Sequence, residues 1–165
     1  MRRLLIFLCF IPFSVFGAED IKILGTFGDW TAYSFQDGTQ KVCYMSAQPK
    51  KSVGKYKKRG DIFLMVTHRP QNKTYDVVSF VAGYTYKKNA PISLQVDKNA
   101  AISLTAHEDT AWAKTDKLDK KIVAQLKSGS LLTIRGTSSR GTKTTDTFSL
   151  TGTTKAYDKI KKACP

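Results

Sequence analysis

Acidic residues are scarce in this chain: 13 aspartates and glutamates stand against 27 lysines and arginines, a formal charge of +14. Such an imbalance points toward anionic partners such as lipopolysaccharide, peptidoglycan, acidic host glycans or phospholipid headgroups, or else serves as solubility charge on a solvated surface. Long apolar runs are missing too. Residues 4–16 are apolar but for Pro12 and Ser14, a stretch too short for a bilayer crossing, which takes about 20 apolar residues. No G-x-S-x-G elbow occurs, so a hydrolase of that type has no nucleophile. The two histidines, His68 and His107, lack cysteine or carboxylate partners at metal-ligand spacing, except that Glu108 and Asp109 adjoin His107. A strand there would put His107 and Asp109 on one face, an adventitious two-ligand site at most. Neither a metal nor a cofactor is expected.

What stands at the start of the chain explains part of this. Arg2 and Arg3 precede the short apolar run, and Val15 and Gly17 occupy the third and first positions before Ala18. These are the marks of a secretory signal peptide over residues 1–17, which places the mature protein outside the cytoplasm. Most nucleic-acid, nucleotide and cytoplasmic metabolic roles are thereby excluded. Cys9 sits inside the apolar run behind Leu8, which rules it out as a lipid-attachment site. Cleavage removes two arginines and no acid, lowering +14 to +12, and leaves 148 residues, enough for one domain over 18–165.

Cysteine is equally sparse after cleavage, with only Cys43 and Cys164 remaining. In an oxidising compartment two such cysteines read as one disulfide. The bridge would fasten the C-terminus to an early strand and close a loop of about 120 residues. The rival reading is a reactive Cys43 with His68 or His107 as its base.

Period-two patterning dominates the chain. Segments 30–35 and 42–47 flank an Asp37-Gly38 turn and read as a hairpin. Segment 62–68 is apolar on both faces, as a central strand requires, and 77–82 is similar. Segments 92–96 and 102–106 alternate around Asp97-Lys98-Asn99 as a second hairpin, and 131–135 with 147–151 form a third. Two segments have helical spacing instead. From an Asp116 N-cap, Leu118, Ile122, Val123 and Leu126 share one face, with Lys117, Lys120, Lys121 and Lys127 opposite, and Gly129 stops the helix. From Thr153 or Thr154, Ala156, Tyr157, Ile160, Ala163 and Cys164 share another face, with Lys155, Lys159 and Lys162 outward. These signals define an all-β fold, an antiparallel β-sandwich or partly open barrel with two short helices packed against it.

The densest charge is the run Lys50, Lys51, Lys55, Lys57, Lys58 and Arg59, read as a loop between two strands. It could grip an anionic glycan or phosphate head, with Tyr56 offering a stacking face, or be a solvated loop. Lys117, Lys120 and Lys121 on the first helix add a second basic face. Replacing Lys55, Lys57, Lys58 and Arg59 together by serine is expected to weaken binding and leave the fold intact. The Gly-rich stretch 136–144 fails as a phosphate cradle, because Thr142 separates Gly141 from Lys143 and a strand follows.

Several stretches taken in order resemble the invasion-associated locus B family: Phe27-Gly28-Asp29-Trp30-Thr31, Val42-Cys43-Tyr44, Gly83-Tyr84, Ala111-Trp112-Ala113, Ser139-Arg140-Gly141-Thr142, the run from Asp146 to Gly152, and Lys162-Ala163-Cys164. The resemblance spans nearly all of the mature chain. It implies an exported bacterial protein, periplasmic, outer-membrane associated or secreted, linked in some pathogens to virulence through entry into host cells such as erythrocytes. It implies no known catalytic residue. Some members carry a further cysteine where this chain has Ser34, which leaves Cys43 and Cys164 to pair. The expectation is a noncatalytic envelope protein contributing to invasion or adhesion through an anionic surface component; the alternative is a periplasmic enzyme or a general envelope-maintenance factor.

Overall fold

The computed structural model describes residues 20–165. The signal-peptide reading of residues 1–17 and the mature start at Ala18 lie outside the described residues. The chain begins with β1 (Lys22–Phe27), β2 (Trp30–Asp37), β3 (Gln40–Ala47) and β4 (Lys51–Gly54). It continues through β5 (Phe63–Arg69), β6 (Thr74–Val81), β7 (Ile92–Val96), β8 (Ile102–His107) and β9 (Thr110–Trp112). After α1 (Asp116–Ser128) come β10 (Leu131–Thr137), β11 (Lys143–Ser149) and α2 (Thr153–Ala163). All pairings are antiparallel, in the spatial order β1-β2-β3-β5-β6-β9-β8-β7-β10-β11-β4.

This sheet rolls over one apolar core without closing. Phe148 of β11 meets Phe80 of β6 edge to face at 6.0 Å, so strands distant in the order share one interior. The start of β2 docks on the end of β11 through Asp29 N–H to the Thr151 carbonyl at 3.0 Å and the Trp30 indole to the Ser149 carbonyl at 3.2 Å. Backbones approach closely here. Gly152 has φ +94°, and a Cβ on it would collide with the Phe27 carbonyl, so only glycine fits. Strands β1 and β4 remain the two edges, giving the partly open, sandwich-like barrel that alternation predicts.

The three expected hairpins form, with β2–β3, β7–β8 and β10–β11 in register. In β10–β11 the return strand runs earlier than expected, over Lys143–Ser149, because Thr144, Asp146 and Phe148 supply the inward positions. Strands β1, β4 and β9 were not anticipated, being short or glycine-bearing segments that only pairing with a neighbour orders. His107 ends β8 and Glu108, at φ +54°, turns the chain into β9, so His107 and Asp109 do not share a strand face as expected.

Both helices bury the expected stripes. In α1, Ile122, Val123 and Leu126 are buried while Lys117, Lys120, Lys121 and Lys127 are exposed. Its N-cap is Thr115 rather than Asp116, the Thr115 Oγ1 accepting from Leu118 N–H at 3.3 Å. In α2, Ala156, Tyr157 and Ile160 are buried, and Cys164 just beyond bonds to Cys43 of β3 across a Cα separation of 5.9 Å. The bridge commits the Cys43 sulfur, which removes the reading of Cys43 as a free nucleophile.

Candidate functional site

A cleft of about 530 Å³ opens where residues 55–60, 83–85 and the β10–β11 turn converge. Strand β4 brings the basic run here by pairing with β11, Val53 opposite Thr145. Residues 51–54 are therefore strand, a correction to the reading of the whole basic run as loop. Beyond Gly54 the chain leaves the sheet and is pinned again where Gly60 N–H donates to the Gly83 carbonyl at 2.9 Å. Gly83, at φ +69°, lies so close to Gly60 that any side chain would strike its carbonyl.

The opposite wall is a tight turn. Gly141 N–H donates to the Ser138 carbonyl at 2.8 Å, Ser138 N–H to the Thr142 carbonyl at 2.9 Å and Thr142 N–H to Ser138 Oγ at 3.2 Å. These bonds hold Arg140, exposed, at the tip. The floor between the walls is aromatic and hydroxylic, with the Tyr84 hydroxyl 2.7 Å from Thr144 Oγ1. Burial raises the Tyr84 phenol above its ordinary range.

Arg59 organises this arrangement from below. Its Nη1 and Nη2 donate to the two carboxylate oxygens of Asp146 at 2.8 and 2.7 Å, and its Nε to the Ala82 carbonyl at 2.7 Å. The ion pair is enclosed, the Arg59 and Asp146 side chains being 4% and 1% exposed. The guanidinium lies 4.8 Å from the Tyr84 ring centre and 5.5 Å from that of Tyr56. Burial opposes the Arg59 charge, but the hydrogen bonds and charge of Asp146 more than offset it and hold the group above its ordinary range. The Arg59 charge is thus paired internally with Asp146, unlike the exposed lysines of the same run. Removing it would leave the buried Asp146 carboxylate unpaired, so the four-residue serine replacement is now expected to cost stability at this position.

The other residues of the basic run part company. Lys55, Lys57 and Lys58 are exposed on the cleft wall beside Tyr56, itself 37% exposed. Lys50 instead pairs with Asp29 at 2.8 Å on the exposed surface. That hydrogen bond, with one from Ser149, keeps the Asp29 carboxyl below its usual range. Lys51 belongs to β4, and Lys117, Lys120 and Lys121 to α1, which packs over β6 through Val78 N–H to Asp119 Oδ1 at 2.9 Å; neither these four nor Lys50 lines this cleft. What the sequence reading missed is Arg140 on the facing turn. The Gly-rich stretch held the signal, since a turn rejected as a phosphate cradle still presents a cation.

A second polar cluster lies beside the disulfide. His68, paired across strands with Cys43, is 1% exposed. Its Nε2 is 3.2 Å from Asp76 Oδ1, which also accepts from the Tyr157 hydroxyl at 2.7 Å. The His68 hydrogen bond holds Asp76 below its ordinary carboxylate range, and burial followed by the Asp76 contact pushes the Tyr157 phenol up. Rings of Tyr75 and Tyr157 meet the imidazole edge to face at 5.5 and 5.6 Å. The cluster fastens α2 to β5 and β6.

Fold and cleft together define an antiparallel β domain whose C-terminus is tied to β3 by a disulfide and which carries a basic cleft between two loops. The family model of the Invasion associated locus B (IalB) protein matches residues 30–161, and the chain belongs to that family. The match takes in both walls of the cleft, the disulfide's β3 partner and most of α2. Comparison with curated proteins and with solved structures gives no significant match.

Among the described residues no helix is long and apolar enough to cross a membrane. The buried disulfide fits an exported chain, since such bonds persist in oxidising compartments.

Proposed function

We propose that this protein is a noncatalytic envelope protein that binds an anionic component of the bacterial envelope or host surface, and that the cleft between residues 55–60 and the β10–β11 turn is where it binds. The observation that carries the reading is the division of labour among the cations. Arg59 spends its charge on Asp146 and braces the loop, whereas Lys55, Lys57, Lys58 and Arg140 remain exposed around an aromatic and hydroxyl-lined floor. Fixed cations on opposed walls raise the local concentration of an anion and orient it, while Tyr56 offers a ring face for stacking. Family membership supports an invasion-associated envelope role. Entry into host cells and a general envelope task would use the same cleft chemistry.

The test is binding of the mature protein to heparin-coated and lipopolysaccharide-coated beads at 0.1 and 1 M salt, where the Debye length falls from about 10 to about 3 Å. Binding should collapse at high salt. It should also fall when Lys55, Lys57, Lys58 and Arg140 are replaced by serine with Arg59 kept. A folded variant that binds both surfaces as the parent does would remove the cleft from consideration.

A further inference from the structure

A second cleft, of about 660 Å³, adjoins the first. The same stretch of chain walls both: Tyr84 and Thr85 line one, and from the very next residue Tyr86, Lys87 and Lys88 line the other. Residues 84–88 form a ridge one strand wide. On one side Ser139 N–H donates to the Thr85 carbonyl at 2.7 Å and Lys87 N–H to the Thr137 carbonyl at 2.9 Å. On the other, Tyr86 N–H donates to the Glu108 carbonyl at 2.8 Å. Neighbouring hydrogen-bonded strands lie about 4.8 Å apart, so the β10–β11 and β8–β9 turns that flank the ridge stand about 10 Å from each other.

The second cleft repeats the chemistry of the first. Exposed Lys87, Lys88 and Lys114 line it with His107, against a single acid, Glu108. Tyr86 lies at its base, its ring 5.2 Å from that of Tyr84 in the neighbouring cleft, and its buried hydroxyl has no hydrogen-bond partner among the described residues. Exposed Thr85 and Lys87 crown the ridge between. A compact phosphate head would satisfy one cleft and leave the cations of the other idle. A chain carrying an anion on successive units meets both sets.

We propose that the two clefts form one extended site for a linear anionic glycan, a chain of sugars bearing sulfate or carboxylate groups, laid across the ridge of residues 84–88. The proposal rests on the reading of the first cleft as the anion site and adds to it a second, independent set of contacts. Two sites joined through one ligand multiply in affinity, so binding depends on ligand length until both clefts are filled.

The experiment measures affinities of the mature protein for heparin-derived disaccharide, tetrasaccharide, hexasaccharide and octasaccharide by calorimetry at constant ionic strength. A desulfated octasaccharide and a single-stranded oligonucleotide of matched charge serve as comparisons. Affinity should rise by about a hundredfold from the disaccharide to the length that spans both clefts, then level off. Replacing Lys87, Lys88 and Lys114 by serine should bring the ratio of octasaccharide to disaccharide affinity close to one, with the disulfide and melting temperature retained. Length-independent affinity, or an unchanged ratio in that variant, overturns the extended site while leaving the first cleft's role standing. Equal or tighter binding of the oligonucleotide overturns the choice of a glycan. If no anionic fragment binds and the lipopolysaccharide beads also fail, the reading of the first cleft itself falls.

Discussion

Asp146→Ala should be among the most damaging single changes away from the apolar core. The substitution strips Arg59 of two charge-assisted hydrogen bonds and leaves its guanidinium, 4% exposed, with the Ala82 carbonyl and two tyrosine faces. Removing one member of a buried pair costs about 3–5 kcal/mol because the other is left charged and desolvated. With a urea dependence of about 2 kcal/mol per molar, the unfolding midpoint should fall by about 2 M. The combined change Arg59→Met with Asp146→Leu removes both charges and should recover most of that loss, since well-packed apolar replacements of buried pairs are often neutral. Replacing Lys55, Lys57 and Lys58 by serine should move the midpoint little, each exposed site contributing within about 0.5 kcal/mol. Urea melts followed by fluorescence of Trp30, which is fully buried, read all three. A loss below about 1 kcal/mol for Asp146→Ala would place the pair with ordinary surface ion pairs and refute its role as the brace of the cleft. So would a double variant no more stable than the single one.

Replacing Cys43 and Cys164 together by alanine should lower stability by about 2–5 kcal/mol, because the bridge spans 121 residues of chain and restricts the unfolded state; calorimetry of oxidised parent and variant measures it. Asp76→Asn should cost about 1–3 kcal/mol at pH 7 by weakening the bonds to His68 and Tyr157, while the φ of +62° remains acceptable to asparagine. Since the folded Asp76 titrates below its ordinary value, its stabilisation is complete above about pH 5 and is lost as pH falls through that lowered value. The gap between parent and variant in denaturant melts should therefore close on acidification, and a gap that persists unchanged to pH 2 would contradict the assignment.

Much of the architecture was legible because local pattern and final burial agree. Alternation in 92–96 and 102–106 needs only a neighbour to become a hairpin, and the stripe of Ile122, Val123 and Leu126 needs only a sheet to cover it. With Cys9 set aside in the leading apolar run, two cysteines were left to pair, and the bridge joins those two. Strands β1, β4 and β9 carry too few periodic residues to declare themselves, so their state was settled by the edges they pair with. The same holds for the cleft. Nothing local separates Arg59 from Lys58, yet one lies enclosed against Asp146 and the other exposed, because the antiparallel pairing of β4 with β11 delivers a carboxylate 87 residues away to only one of them. Arg140 likewise became part of the basic wall only when the β10–β11 turn folded opposite residues 55–60. Composition and periodicity decided what the chain is made of and which faces it must bury; long-range strand pairing decided which charges are paired inside the fold and which stay exposed on its surface.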